Sequence, residues 1–252
     1  MELTVIGAGP AYTDRRGATA ASYLVRAEGA ALLLDLGQGS FPNLAATIEP
    51  SGLSAVLVSH LHPDHFVDLV PLRHYLRYQF DPPRRVRVLG PAGLADRLDA
   101  LPALPGFAAV GLDVARLAAI QRIGPFAVAA LLVHHTEESY AFRVSLAAGS
   151  GAATGPGLVY SGDCGRADDL VPLIRPGDTL LAEASFGAGP LPAGAEHLTA
   201  GDAARAATAG RASRLLLTHL QMGYDRGQAL AAAQSVFAGP VQLVTEGDRF
   251  EV

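Results

Sequence analysis

The stretch Ser59-His60-Leu61-His62-Pro63-Asp64-His65 follows directly on the apolar run Ala55 to Val58 and puts three imidazoles and a carboxylate within six positions. Packing has little use for such a cluster. Imidazole nitrogen and carboxylate oxygen are the ligands that borderline divalent cations such as zinc prefer, and a loop at a strand end lets neighbouring side chains converge. His60 and His62, two positions apart, can point to one cation. Pro63 fixes the backbone turn, so that Asp64 and His65 can face a second cation nearby.

Four later residues share that context, each just beyond an apolar run: His135 after Leu131-Leu132-Val133, Asp163 after Leu158-Val159-Tyr160, Glu183 after Leu180-Leu181-Ala182, and His219 after Leu215-Leu216-Leu217. Near-continuous apolar runs suit strands buried on both faces, and polar residues at their ends then line one rim. Taken singly, each could be an ordinary loop residue. If the rims coincide, His60, His62 and His135 hold one metal, Asp64, His65 and His219 hold the other, and Asp163 bridges them.

Composition narrows the alternatives. The 252 residues are 50% hydrophobic and 17% charged, too apolar for intrinsic disorder, and this length allows one large or two small domains. With 24 acidic against 19 basic side chains the net charge is −5, the wrong sign for a polyanion binder. No apolar run approaches the roughly 18 residues of a membrane span. The start Met1-Glu2-Leu3-Thr4-Val5-Ile6 lacks the features of a secretory signal, which predicts a cytoplasmic protein. A single cysteine, Cys164, excludes an intrachain disulfide and a Cys-based zinc knuckle, so a metal must be held by His and carboxylate.

Short apolar runs alternate with helix-like stretches along the whole chain, which reads as α/β or α+β. Strands are expected at Leu3 to Ile6, Ser22 to Arg26, Ala31 to Leu34, Ala55 to Ser59, Val86 to Leu89, Ala127 to Val133, Ala141 to Leu146, Leu158 to Ser161, Thr179 to Ala182, Leu215 to Thr218 and Val241 to Thr245. Helices are expected at Pro42 to Ile48, His65 to Tyr78, Gly93 to Ala100, Gly201 to Ala209 and Gln228 to Phe237. So many strands suit two sheets packed face to face with helices outside. Thr199-Ala200-Gly201-Asp202 has the form of a capping box, and Ala147 to Gly157 reads as a flexible hairpin loop. No linker splits the chain, so residues 1–252 are expected to form a single domain.

The signature His-x-His-x-Asp-His at His60 to His65, with Asp35-Leu36-Gly37 before it and the later ligands in order, resembles that of the metallo-β-lactamase superfamily. The resemblance covers nearly the whole chain and implies an αββα sandwich with a metal pair at one edge. His135-Thr136-Glu137-Glu138-Ser139-Tyr140, Ser161-Gly162-Asp163, Leu181 to Phe186 and His197-Leu198-Thr199 look like the ribonuclease Z-like branch. That branch implies that His197 helps protonate the leaving group and that Glu183 orients it. Its pattern also selects His135 over the adjacent His134 as ligand, and at family level it implies a dimer. His74 has no motif role and reads as a surface or helix-packing residue.

Two lesser signals remain. Gly7-Ala8-Gly9-Pro10 lacks the third glycine of a nucleotide loop. Arg73, Arg77, Arg84, Arg85 and Arg87 read first as a solvated helix face and turn, and second as a cradle for an anionic substrate's distal group.

A dinuclear metallohydrolase is therefore expected, with two divalent cations, zinc first and manganese or iron as alternatives. A metal can lower the pKa of bound water to about 7, so a bridging hydroxide serves as nucleophile and no Ser or Cys is required. Two divalent cations offset by Asp64, Asp163 and that hydroxide leave an inner shell of about +1, which suits a small anionic substrate such as a phosphodiester. Transfer RNA is disfavoured. Only 28 positions separate His135 from Asp163, where tRNA-processing relatives commonly carry a long arm, and an acidic chain offers little attraction. Ester, thioester or lactone hydrolysis on the same site is one alternative, and a non-catalytic metal-binding or regulatory module is another.

Overall fold

A computed structural model of the chain describes residues 1–148 and 153–252. The strands are β1 (Glu2–Gly7), β2 (Ser22–Ala27), β3 (Ala30–Leu34), β4 (Ala55–Leu57), β5 (Val86–Gly90), β6 (Leu112–Arg116), β7 (Ile120–Ile123), β8 (Phe126–Val133), β9 (Ser139–Ala147), β10 (Ala153–Tyr160), β11 (Thr179–Glu183), β12 (Arg214–Thr218), β13 (Val241–Leu243) and β14 (Arg249–Glu251). The helices are α1 (Phe41–Thr47), α2 (Pro63–Phe66), α3 (Leu69–Tyr78), α4 (Leu94–Ala100), α5 (Ala200–Gly210) and α6 (Arg226–Gln234).

Two mixed sheets result, ordered β14-β1-β2-β3-β4-β5-β6 and β13-β12-β11-β10-β9-β8-β7. Pairing is parallel from β3 to β6 and from β10 to β13, and antiparallel elsewhere. The strand period of two sorts each apolar run into two cores. Leu32 and Leu34 join Leu181 and Leu216 between the sheets. Leu33 and Val56 face outward with Leu69, Leu72 and Leu76, while Leu180, Ala182, Leu215 and Leu217 face α5 and α6. These layers make the αββα sandwich.

Residue choice explains the close packing on the second sheet. Ala200, Ala203, Ala204 and Ala207 fall on one face of α5 at helical spacing, and their small side chains let the helix approach. The capping box is formed: Thr199 Oγ1 accepts from Asp202 N at 3.1 Å, and Asp202 Oδ2 accepts from Thr199 N at 3.0 Å.

Several expectations need correction. The helix expected from His65 to Tyr78 is two helices, α2 and α3, because Pro71 has no N–H for the carbonyl of Val67. The turn is further occupied by Leu36, whose N–H bonds His65 O at 2.8 Å, and by Asp68 N, which bonds Leu36 O at 3.1 Å. The loop expected at Ala147 to Gly157 is mostly strand, since β10 starts at Ala153 and pairs with β9 across a register shift between Thr154 and Leu158. The part of that expectation on residues 149–152 lies outside the described residues. Strands β6, β7 and β14 were not expected; all three are short, interrupt their apolar residues with charged ones and lie at sheet edges. Arg73 is not on a solvated face: it is buried, its Nε donates to Phe107 O at 2.9 Å, and its guanidinium lies over the Phe107 ring. Arg84 lies over Phe80 and donates to Ser51 Oγ. His74 is exposed, as expected. Among the described residues no helix is long and apolar enough to cross a membrane.

Candidate metal centre

The rims coincide. His60 and His62 follow β4, Asp64 and His65 sit in α2, and His135, Asp163 and His219 follow β8, β10 and β12. Cross-sheet hydrogen bonds fasten this edge: Tyr140 N to Ser59 O at 3.0 Å, His219 N to Ala8 O at 3.0 Å, and the Tyr23 hydroxyl to Thr218 Oγ1 at 2.6 Å.

Two groups of side chains converge, each with its ligand atoms within 4.8 Å of one another: His60, His62, His135 and Asp163, then Asp64, His65, Asp163 and His219. Asp163 belongs to both. Its Oδ2 lies 3.7 Å from both His60 Nε2 and His135 Nε2, while Oδ1 lies 3.3 Å from His65 Nε2 and 3.6 Å from His219 Nε2. In the first group His62 Nδ1 is 3.0 Å from His60 Nε2 and 3.1 Å from His135 Nε2. In the second, Asp64 Oδ2 is 3.2 Å from His219 Nε2 and 3.6 Å from His65 Nε2. Donors placed tetrahedrally at metal–ligand lengths of about 2.0–2.1 Å stand roughly 3.4 Å apart, so these spacings fit a cation at each centre.

Unsatisfied atoms point the same way. Among the described residues His65 Nε2 and Asp163 Oδ1 are buried with no hydrogen-bond partner, a costly state that a cation would relieve. The donor set, imidazole nitrogen with carboxylate oxygen, fits zinc, manganese or iron.

Outer groups fix the ring orientations. Asp35, fully buried, accepts from His65 Nδ1 at 2.7 Å, from Ser59 N and Oγ at 2.7 Å each, and from the Tyr160 hydroxyl at 2.6 Å. This leaves His65 Nε2 to face the cluster. Asp35 and His219 both adopt left-handed backbone, with φ of +58° and +59°. Such geometry costs about 1–3 kcal/mol for a non-glycine residue and persists where the surroundings over-determine it. Asp35 was quoted only for its resemblance; its place directly after an apolar strand is the signal that could have found it.

Electrostatics separates the imidazoles. Burial holds His60 well below its ordinary pKa, with His65 adding to the effect, and burial and His135 lower His62. At His65 burial is outweighed by Asp163 and Asp35, which carry it well above the ordinary value; at His219 burial is outweighed by Asp163 and Asp64 together, and the group is raised. Burial opposes ionisation of Asp163, yet His219 and His65 hold it well below the carboxylate range. Asp64 is also lowered, burial being overcome by its His219 hydrogen bond together with the charges of His65 and His219. The metal-free cluster thus carries protons that a cation would displace.

His197 and Glu183 flank the second group. His197 Nδ1 lies 3.0 Å from Glu183 Oε1; burial pulls the imidazole down, and this bond together with the charges of Glu183 and Asp163 outweighs it and carries the group up to about 9. The adjacent His134 is exposed and turned to Asp169 at 2.8 Å and Arg166 at 2.9 Å, whereas His135 Nδ1 bonds Glu196 O at 2.8 Å and Nε2 faces His62. Both residues lie in the bend beyond β8, and their different partners are what separate them: the Asp169 and Arg166 contacts hold His134 away from the cluster. Beside His62 a cleft of about 440 Å³ is lined by Leu61, Pro91, Arg97, Thr136 and Glu137 among others. The cluster Arg73 to Arg87 contributes nothing to that cleft.

Residues 33–220 match the family model described as beta-lactamase superfamily domain. An uncharacterized protein of Mycobacterium leprae is 31% identical over 262 residues, spanning 100% of this chain and 89% of that protein. The probable metallo-hydrolase YhfI of Bacillus subtilis is 26% identical over 250 residues, 98% of each chain. The crystal structure of that metallo-beta-lactamase fold protein superposes with a TM-score of 0.86 at 24% identity, covering 100% of this chain and 98% of that one. Ribonuclease Z of Mycobacterium marinum is 38% identical over 104 residues, 40% of this chain and 37% of that protein.

Proposed function

Because this chain belongs to the β-lactamase superfamily, we propose that it is a metal-dependent hydrolase that uses a pair of divalent cations on a small phosphodiester. The observation that carries the reading is Asp163, whose two oxygens face two separate sets of imidazoles. His60, His62, His135 and Asp163 Oδ2 would hold one cation; Asp64, His65, His219 and Asp163 Oδ1 would hold the other. Bound there, the pair would supply Lewis acidity and an ionised water at neutral pH.

The residues around the pair do the rest. With its pKa near about 9, His197 is a cation at neutral pH and has a proton to give. Alkoxide leaving groups need such a donor, and a thiolate does not, which favours an oxygen ester over a thioester. Glu183 accepts from Nδ1, so Nε2 is the nitrogen left to serve the substrate. Arg97 places a guanidinium in the neighbouring cleft beside the carboxylates of Glu137 and Glu138, and about 440 Å³ suits a molecule of cyclic-nucleotide size. The local likeness to a ribonuclease supports phosphodiester chemistry, while the short interval before Asp163 argues against tRNA.

The test is metal analysis together with turnover of bis(4-nitrophenyl) phosphate, an aryl ester and an aryl thioester. Two equivalents of metal and phosphodiester turnover that chelation abolishes are expected. Ester turnover without phosphodiester turnover would replace this reading with acyl hydrolysis. Metal without turnover of any substrate would replace it with a binding module.

A further inference from the structure

Between the second group of ligands and the His197–Glu183 pair lies the hydroxyl of Ser185. Ser185 is fully buried just beyond β11. Its Oγ donates to Glu183 Oε2 at 2.5 Å and lies 3.1 Å from His219 Nδ1. We propose that Ser185 is a positioning residue shared by both parts of the site, accepting from His219 Nδ1 while donating to Glu183 Oε2.

Proton assignment follows from what each group must do. His219 Nε2 faces Asp64 and Asp163, so it must be unprotonated to hold a cation, and Nδ1 then carries the hydrogen. That hydrogen needs an acceptor, and Ser185 Oγ is the one within reach among the described hydrogen bonds. The hydroxyl's own hydrogen goes to the carboxylate. His197 Nδ1 is also 3.3 Å from Ser185 Oγ, but the 3.0 Å contact to Glu183 Oε1 takes its hydrogen. Glu183 is thereby saturated: Cys164 N at 2.7 Å and His197 on Oε1, Ser185 Oγ and N on Oε2.

Geometry also says what this arrangement prevents. One ligand atom each of Glu183, His197 and His219 lies within 4.8 Å of the others, so Glu183 is close enough to be drawn into a cation's shell. The Ser185 hydroxyl occupies Oε2 and keeps the carboxylate turned to His197. Outer partners of this kind tune ligand orientation, and their loss typically costs about 10–100-fold in metal affinity or activity.

This inference rests on the hydrolase reading, and Ser185→Ala and Ser185→Thr test it with two independent measurements. The first is zinc retention against a chromophoric chelator. Ser185→Ala is expected to weaken retention of the second zinc about 10-fold, and Ser185→Thr, which keeps the hydroxyl, to restore it within about 3-fold. The second is the kcat and KM split on a 3′,5′-cyclic nucleotide, whose alkoxide leaving group needs a proton donor as 4-nitrophenolate does not. Ser185→Ala should lower kcat about 10–100-fold with KM within about 3-fold, and Ser185→Ala/Glu183→Gln should be no more than about 3-fold below the worse single variant. Unchanged zinc retention in Ser185→Ala, or losses that multiply in the double variant, would overturn the assignment. If the unaltered protein hydrolyses nothing, the hydrolase reading fails and zinc retention alone decides the role of Ser185.

Discussion

The two halves of the candidate centre are built from similar donors yet supported differently. In the outer half His62 is exposed, and its described hydrogen bonds go only to His60 and His135; His135 leans on a single backbone carbonyl, that of Glu196. In the inner half Asp64, His65 and His219 are all buried, with Asp35 behind His65 and Ser185 behind His219. Affinity for a cation depends on how little its ligands must reorganise, so the inner half, buried throughout, is the better preorganised, and the outer half has its exposed ligand in His62.

Removing the residue common to both halves should have the largest effect. Asp163→Ala is expected to lose both equivalents by metal analysis and to lower kcat by about a thousandfold or more, since several kcal/mol of charge stabilisation disappear. Next comes Asp35→Asn, which keeps every candidate ligand but leaves His65 without its carboxylate and loosens the Ser59 hydroxyl that faces His60 Nδ1 at 3.1 Å. Metal affinity or activity should fall about 10–100-fold, with thermal stability lowered by about 2 kcal/mol for the donors left poorly paired. His62→Ala should be milder: one of two equivalents survives gel filtration. Retention of both equivalents, or loss of both, would break the contrast between the halves.

A pH profile sharpens it further. His197 is protonated below about 9, so if it serves as the proposed donor kcat should fall as pH rises through that value. Glu183→Gln removes the charge that raises the pKa, and the alkaline limb should move down toward the ordinary imidazole value of 6.5. The smallest effect is expected away from both halves, where Thr199→Ala removes the cap of α5: about 1 kcal/mol of stability by denaturant titration, with metal content unchanged.

Legibility followed the range of the interaction. The strands that pack two cores announced themselves as runs such as Leu32 to Leu34 and Leu215 to Leu217, because burial on both faces leaves no polar position. Edge strands β6, β7 and β14 did not, since a half-solvated edge tolerates Asp113, Arg122 and Arg249. Arg73 looked like surface because its partner, the carbonyl of Phe107, lies 34 positions away. The break between α2 and α3 could have been read from Pro71, whose missing N–H forbids a continuous helix.

By itself the sequence determined the ligand types, their order and the alternation that stacks helix, sheet, sheet and helix, for these depend on side-chain chemistry and local period. Only the tertiary structure decided which nitrogen each imidazole presents, that Asp35 stands behind His65, and that Ser185 stands between His219 and Glu183. An imidazole's tautomer and direction are set by the atom bonded to its other nitrogen. For His65 that atom lies 30 positions away and for His219 it lies 34 positions away, so no local pattern records either.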